Sequence, residues 1–101
     1  MNGAKLIAQE RKRQIEEEGW TAVHDEQHRD GDLALAGVCY VMDAVSDMRD
    51  RHEEKWLALI SDALWPWECM WWKPTLDRVR QLVKAGALIA AEIDKLQRET
   101  K

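Results

Sequence analysis

Residues 76–98 read LDRVRQLVKAGALIAAEIDKLQR. Val79, Leu82, Val83, Gly86, Ile89, Ala90, Ile93 and Leu96 recur at three- and four-residue steps, the spacing of one face of an α-helix. Ala85, Gly86, Ala87, Ala90 and Ala91 are small, so a neighbouring helix can approach closely. Thr75, just after Pro74, reads as the N-cap. No alternating apolar pattern of a strand interrupts this segment, and the helical period sets the expectation for the rest of the chain.

The segment before it, WPWECMWWKP at 65–74, breaks the period, because Pro66 and Pro74 disfavour helix at the residue preceding each. Upstream, Trp56, Leu57, Ile60, Ala63 and Leu64 fit one face of a short helix. A longer one starts near Asp30 or Asp32, either of which can cap it, and runs to about His52. Leu33, Ala36, Gly37, Tyr40, Val41, Ala44, Val45 and Met48 mark its apolar face. The first helix spans about Gly3 to Glu18, with a thin stripe of Ala4, Ile7, Ala8, Arg11 and Ile15, and Gly19 is its natural stop. Glu16, Glu17 and Glu18 oppose the dipole at its end, a local conflict of the kind that gathers at functional sites. The expected fold is all-α: a small helical bundle of three main helices and a short fourth, in one domain covering 1–101.

Composition narrows the function classes. A chain of 101 residues with 34% charged and 46% hydrophobic residues can fold as one globular domain. A formal charge of −4 disfavours general nucleic-acid coating, which needs a basic surface. Cys39 and Cys69 form no CxxC pair and read as free thiols in a reducing compartment. No basic start leads into an apolar run, and no segment is long enough to span a bilayer. The expected location is therefore the cytoplasm, away from membranes. Of six tryptophans, four lie in WPWECMWW at 65–72, which suggests a platform or lid rather than a dispersed core.

Four clusters carry chemistry. In GWTAVHDEQHRDGD, residues 19–32, His24 and His28 stand four apart, as in HExxH, with Asp25 in the glutamate's place. The segment lies between two helices, so it reads as a metal site of another kind or as a capping loop. The acids Glu17, Glu18, Asp25, Asp30 and Asp32 could hold Mg²⁺ shared with substrate phosphates, or form a solvated face. Lys73, Arg78, Arg80 and Lys84 surround the start of the last helix, where an anion is favoured; Lys84 could equally snorkel outward. Trp65, Trp67, Trp71 and Trp72 could stack a base beside these cations, or plug the end of the bundle. Together they suit a nucleotide: base on the tryptophans, phosphates on the cations, metal by the acidic loop.

ERKRQIEEEGW, HDEQHRDGDLALAGVCY, WPW, WWKP and LVKAGALIAAEIDKL together resemble a family of small proteins of tailed phages and prophages. Its members are sometimes labelled MazG-like nucleotide pyrophosphohydrolases. The resemblance covers nearly the whole chain except the charged stretch at 46–62. It carries over onto Glu10, Gln14, Glu18, Trp20, His24, Asp25, His28, Gly31, Trp65, Trp67, Trp72, Lys73, Lys84 and Glu92, with Asp32 replacing a glutamate. The ExxE and ExxD pair of the MazG metal cage has no counterpart beyond Asp47 and Asp50.

The resemblance and the four clusters imply a phage-encoded nucleotide-handling protein, in enzymatic form a Mg²⁺-dependent NTP or dNTP pyrophosphohydrolase. Asp25, His24 and His28 would be catalytic. Glu18, Asp25 and Asp32 would hold the metal, and Trp65, Trp67, Trp72, Lys73, Arg80 and Lys84 the ligand. The alternative is a non-catalytic anti-defence protein that binds a nucleotide signal or a host protein. Pairing into a homodimer is expected on economy, since a short chain gains core by doubling.

Overall fold

The computed structural model describes residues 1–49 and 56–99. It is all-α, in the order α1 (Gly3–Glu18), α2 (Ala22–Asp25), α3 (Asp32–Arg49), α4 (Trp56–Leu64), a 3-10 turn (Cys69–Trp71) and α5 (Arg78–Glu99). The expected three main helices and short fourth are all present, and α2 is an additional single turn. The far end expected for the third helix, to His52, and the acid Asp50 lie outside the described residues.

Local chemistry sets the boundaries. Asn2 caps α1 by accepting from the Lys5 amide, and Gly19 closes it in the left-handed region at φ 72°. Its turn carries the Trp20 amide back to the Gln14 carbonyl at 3.0 Å. Asp30 and Gly31, at φ 59° and 76°, turn the chain into α3. The start of α5 differs from expectation. Asp77, not Thr75, is the cap: its Oδ1 accepts from the Arg80 amide at 3.2 Å, and its carbonyl accepts from Gln81. Thr75 instead gives its amide to Gln81 Oε1 and its hydroxyl to the Asp77 carbonyl.

Helix α5 is the axis of the bundle, packing against α3, α1 and α2, while α4 packs on α3. Leu33, Ala36 and Tyr40 of α3 meet Ala85, Leu88 and Ala91 of α5 in the core. Gly37 lets the two helices close: a Cβ there would lie 3.1 Å from the Ala85 carbonyl oxygen and from Ile89 Cγ1. At Gly86 the Ile7 side chain of α1 occupies the equivalent space.

The apolar stripe of α5 does not face inward as a whole. Val79, Leu82, Ile89, Ile93 and Leu96 are exposed. The inner face carries Val83, Leu88 and small alanines together with Gln81, Glu92 and Lys95. These polar groups have partners, which makes their burial tolerable. Gln81 donates to Asp43 Oδ2 at 2.7 Å, Glu92 accepts from the Ala34 amide, and Lys95 reaches Glu99 at 2.6 Å. On α1, likewise, the buried residues are Glu10 and Gln14, whereas Ala4, Ala8 and Ile15 are exposed. The helical periods are as expected; on α1 the fully buried side chains are polar, and on α5 the inner face mixes apolar and polar groups.

Candidate functional site

The polar side of α1 and the tryptophan segment face each other across one cleft. Its geometry begins with Arg11, whose Nη1 donates to the Trp20 carbonyl at 3.2 Å and whose Nη2 donates to Asp25 Oδ2 at 2.8 Å. Asp25 is fully buried, and its other oxygen lies 3.2 Å from His24 Nδ1. Helix α2 is thereby stapled to α1, and the His24 ring is set parallel to Trp20, centroids 5.7 Å apart and planes 1° from parallel.

From His24 a ladder of rings continues. The His28 edge meets His24 at 4.8 Å and Trp67 at 4.6 Å. Trp67 meets Trp65 at 5.3 Å, and Trp65 meets Tyr40 at 5.6 Å and Trp72 at 4.7 Å. Edge and tilted contacts of this kind suit the ring quadrupole. Burial, and then the neighbouring His24, push the His28 pKa below its ordinary value, favouring a neutral ring inside the ladder.

Around these rings lies a cavity with two lobes. The aromatic lobe, about 700 Å³, is walled by Trp20, His24, His28, Tyr40, Trp65, Trp67 and Trp71. The second, about 650 Å³, shares Trp20, His24, Tyr40, Trp71 and Leu88 with it. Its remaining lining is charged or polar: Arg13, Lys73, Arg80 and Lys84 outnumber Glu10 and Glu18, with Gln14 among them. Both volumes are in the range of small-molecule sites.

The charged lobe is pre-assembled. Glu10 accepts from Arg13 Nε at 2.6 Å and pairs with Arg80 Nη1 at 2.9 Å. Burial alone would raise the Glu10 pKa, but the hydrogen bonds from Arg13 and Arg80 outweigh it and hold the carboxyl below its usual range. Arg13 also reaches Glu18 at 2.9 Å. The pKa of Lys84 is lowered by burial and then by Arg80, so an anion arriving there would relieve both penalties. Its ammonium donates to the Lys73 carbonyl at 3.1 Å and lies 5.4 Å from the Tyr40 ring centroid. Gln14 is buried, with Oε1 lacking a hydrogen-bond partner, which leaves an acceptor open in the lining.

Several residues singled out from the sequence meet in this cleft: His24, His28, Trp65, Trp67, Lys73, Arg80, Lys84 and Glu18 all line it. Trp72 stands behind the wall, its Nε1 donating to Asp62 Oδ1 at 2.8 Å and its ring tilted on Tyr40. The expected metal trio is not assembled. Asp25 is committed to Arg11 and His24, and Asp32 lies in the first turn of α3. Among the described residues, no three His, Cys, Asp or Glu side chains converge as a metal site requires. Arg13 was not among the residues singled out from the sequence. The signal was Glu10, Arg13 and Gln14 at helical spacing, all on the cleft side. Comparison with family models, curated proteins and solved structures returns no match for this chain.

Proposed function

We propose that this cleft binds a nucleotide and that the protein is a phage-encoded nucleotide-handling protein working in the host cytoplasm. The observation that carries the reading is the junction of the lobes: both are lined by Trp20, His24, Tyr40 and Trp71, the one adding indoles and the other the Arg13, Arg80, Lys84 and Lys73 cations. A nucleotide has the same polarity, a flat base that stacks on indole and phosphates that seek fixed cations. Arg13, Arg80 and Glu10 are already positioned by ion pairs, and Lys84 by its hydrogen bond to the Lys73 carbonyl, so little ordering of these groups accompanies binding.

Sequestration is the form favoured by the carboxylates. Asp25, the residue expected to act as base, has both oxygens occupied in the staple to α1 and His24. In a hydrolytic form, Glu18 would hold Mg²⁺ together with the ligand's own phosphates, and His24 would carry the proton. The decisive experiment is a thermal-shift screen across nucleoside triphosphates, cyclic dinucleotides and divalent metals, followed by assay of the hits for pyrophosphate release. Ligand at a hundredfold excess over Kd stabilises by about 2.7 kcal/mol through linkage, a readily measured rise in Tm. A shift without turnover supports sequestration, and turnover requiring Mg²⁺ supports the pyrophosphohydrolase. The absence of any nucleotide shift would overturn the reading in favour of a protein that binds a host protein.

A further inference from the structure

The outer face of α5 carries a second, independent pattern. Val79, Leu82, Gly86, Ile89, Ile93 and Leu96 follow one another at steps of 3, 4, 3, 4 and 3 residues, the a/d repeat of a helix-pairing seam. The five side chains of this seam are 38–60% exposed, and no charge interrupts it. Ile7 of α1 lies over Gly86, so the seam has no gap there. Isolated exposed apolar residues are ordinary, but a contiguous face marks an interaction site. The inner face of α5 is built largely of alanines and polar groups, so much of the helix's larger aliphatic surface is left outside the core.

We infer that α5 pairs antiparallel with α5 of a second copy of this chain along the Val79–Leu96 seam, about a two-fold axis beside Gly86. The register selects this occupant. In the antiparallel arrangement Val79 of one copy is set against Leu96 of the other, Leu82 against Ile93, and Gly86 against Ile89. Every layer then joins an a position to a d position, and each contact occurs twice, as an isologous interface demands. In the central layers the Ile7 side chain seated over Gly86 would be the group that meets Ile89 of the other copy. Charges at the rim agree: Arg78 at the start of α5 comes beside Glu99 at the end of its counterpart. Glu99 already accepts Lys95 at 2.6 Å, and a carboxylate has acceptor sites to spare. A parallel pair would instead set Arg78 beside Arg78. The cleft lies across the bundle on the inner side of α5, so each copy would keep its own site.

The test uses the full chain. Sedimentation velocity at micromolar concentration should give a dimer. Ile93→Glu should give a monomer with unchanged helical circular dichroism, since the side chain is half exposed. A monomeric parent protein, or a dimer indifferent to Ile93→Glu, would overturn the inference. Should Ile93→Glu fail to fold, crosslinking in a Cys69→Ser background decides. Leu82→Cys with Ile93→Cys should form an interchain disulfide under mild oxidation, while Leu82→Cys alone should not. Crosslinking by the single variant would mean a parallel seam, and no crosslinking by the double variant would mean another interface; either result overturns the register.

Discussion

Arg11 and Asp25 face each other at 2.8 Å with the carboxylate fully out of solvent, and this pair holds the histidine turn against the first helix. Removing the cation alone would leave a buried charge with only His24 beside it. Arg11→Ala should therefore cost about 3–5 kcal/mol in urea unfolding. Replacing both residues together should cost less than the sum of the single changes, since neither charge is then stranded. Additive losses would contradict a direct coupling.

Acid should unfold the protein in two stages. His28 has a folded-state pKa below its ordinary 6.5. The unfolded chain therefore takes up the proton first, and stability falls as pH drops below about 6.5, levelling once the folded-state value is passed. Glu10 has a pKa held below its ordinary 4.5. Its contribution is complete above that value and is lost as pH falls through the lower, folded-state pKa. Urea titrations between pH 3 and 8, on the order of the span between these groups, should lose the upper limb in His28→Asn and the lower limb in Glu10→Gln.

Two adjacent tryptophans should separate binding from stability. Trp71 is half exposed and lines both lobes. Trp71→Ala should leave Tm nearly unchanged while weakening a nucleotide by about 1–3 kcal/mol, the usual worth of one stacked base. Trp72 is tied to Asp62 and packed on Tyr40 and Trp65, so Trp72→Ala should lower Tm first. Calorimetric titration beside thermal melts distinguishes them; equal effects of the two on affinity would contradict this geometry.

Charge on Lys84 should matter to anion binding. Its pKa is lowered by burial and by Arg80, so the free site loses this cation at a lower pH than an ordinary lysine would. Nucleotide affinity should decline as pH rises toward the alkaline range, and the decline should vanish in Lys84→Gln, whose affinity is already reduced. Fluorescence titration across pH reads both.

The two helix-crossing glycines should differ. A methyl at Gly37 would press on the Ala85 backbone oxygen, whereas one at Gly86 meets only the Ile7 side chain, which can swing. Overpacking costs roughly 1–3 kcal/mol where neighbours are rigid, against a helix-propensity gain of about 1 kcal/mol. Gly37→Ala should therefore be the more destabilising in chemical unfolding, and Ile7→Val should improve Gly86→Ala.

The fold was largely legible because its boundaries are local chemistry. Gly19 ends α1 where its backbone turns left-handed, and the period of 56–64 marked α4 without help. The turn at 22–25 escaped because four residues carry no period, and only the Thr21 side chain accepting the His24 amide announces it. Asp77 displaced Thr75 as cap because its carboxylate reaches the Arg80 amide. The site was half legible. Residue type pointed to Trp65, Trp67, Lys73, Arg80 and Lys84, but not to which tryptophan of the Trp71–Trp72 pair faces the cleft. Burial of Glu10 and Gln14 could not be read from α1 alone, because it follows from the packing of α1 on α5, where Arg80 pairs with Glu10.

The ring network has an optical consequence. Trp65, Trp67 and Trp72 sit within 4.7–5.3 Å of one another through Trp65, close enough for their excited states to mix and for energy to hop between them. Trp20, at the far end of the ladder, joins them through two imidazoles. Emission therefore drains toward whichever indole lies lowest in energy, and a molecule seated against any one ring dims or recolours the whole set. The protein carries its own unlabelled sensor, and its near-ultraviolet spectrum should announce an occupied cleft before the occupant has a name.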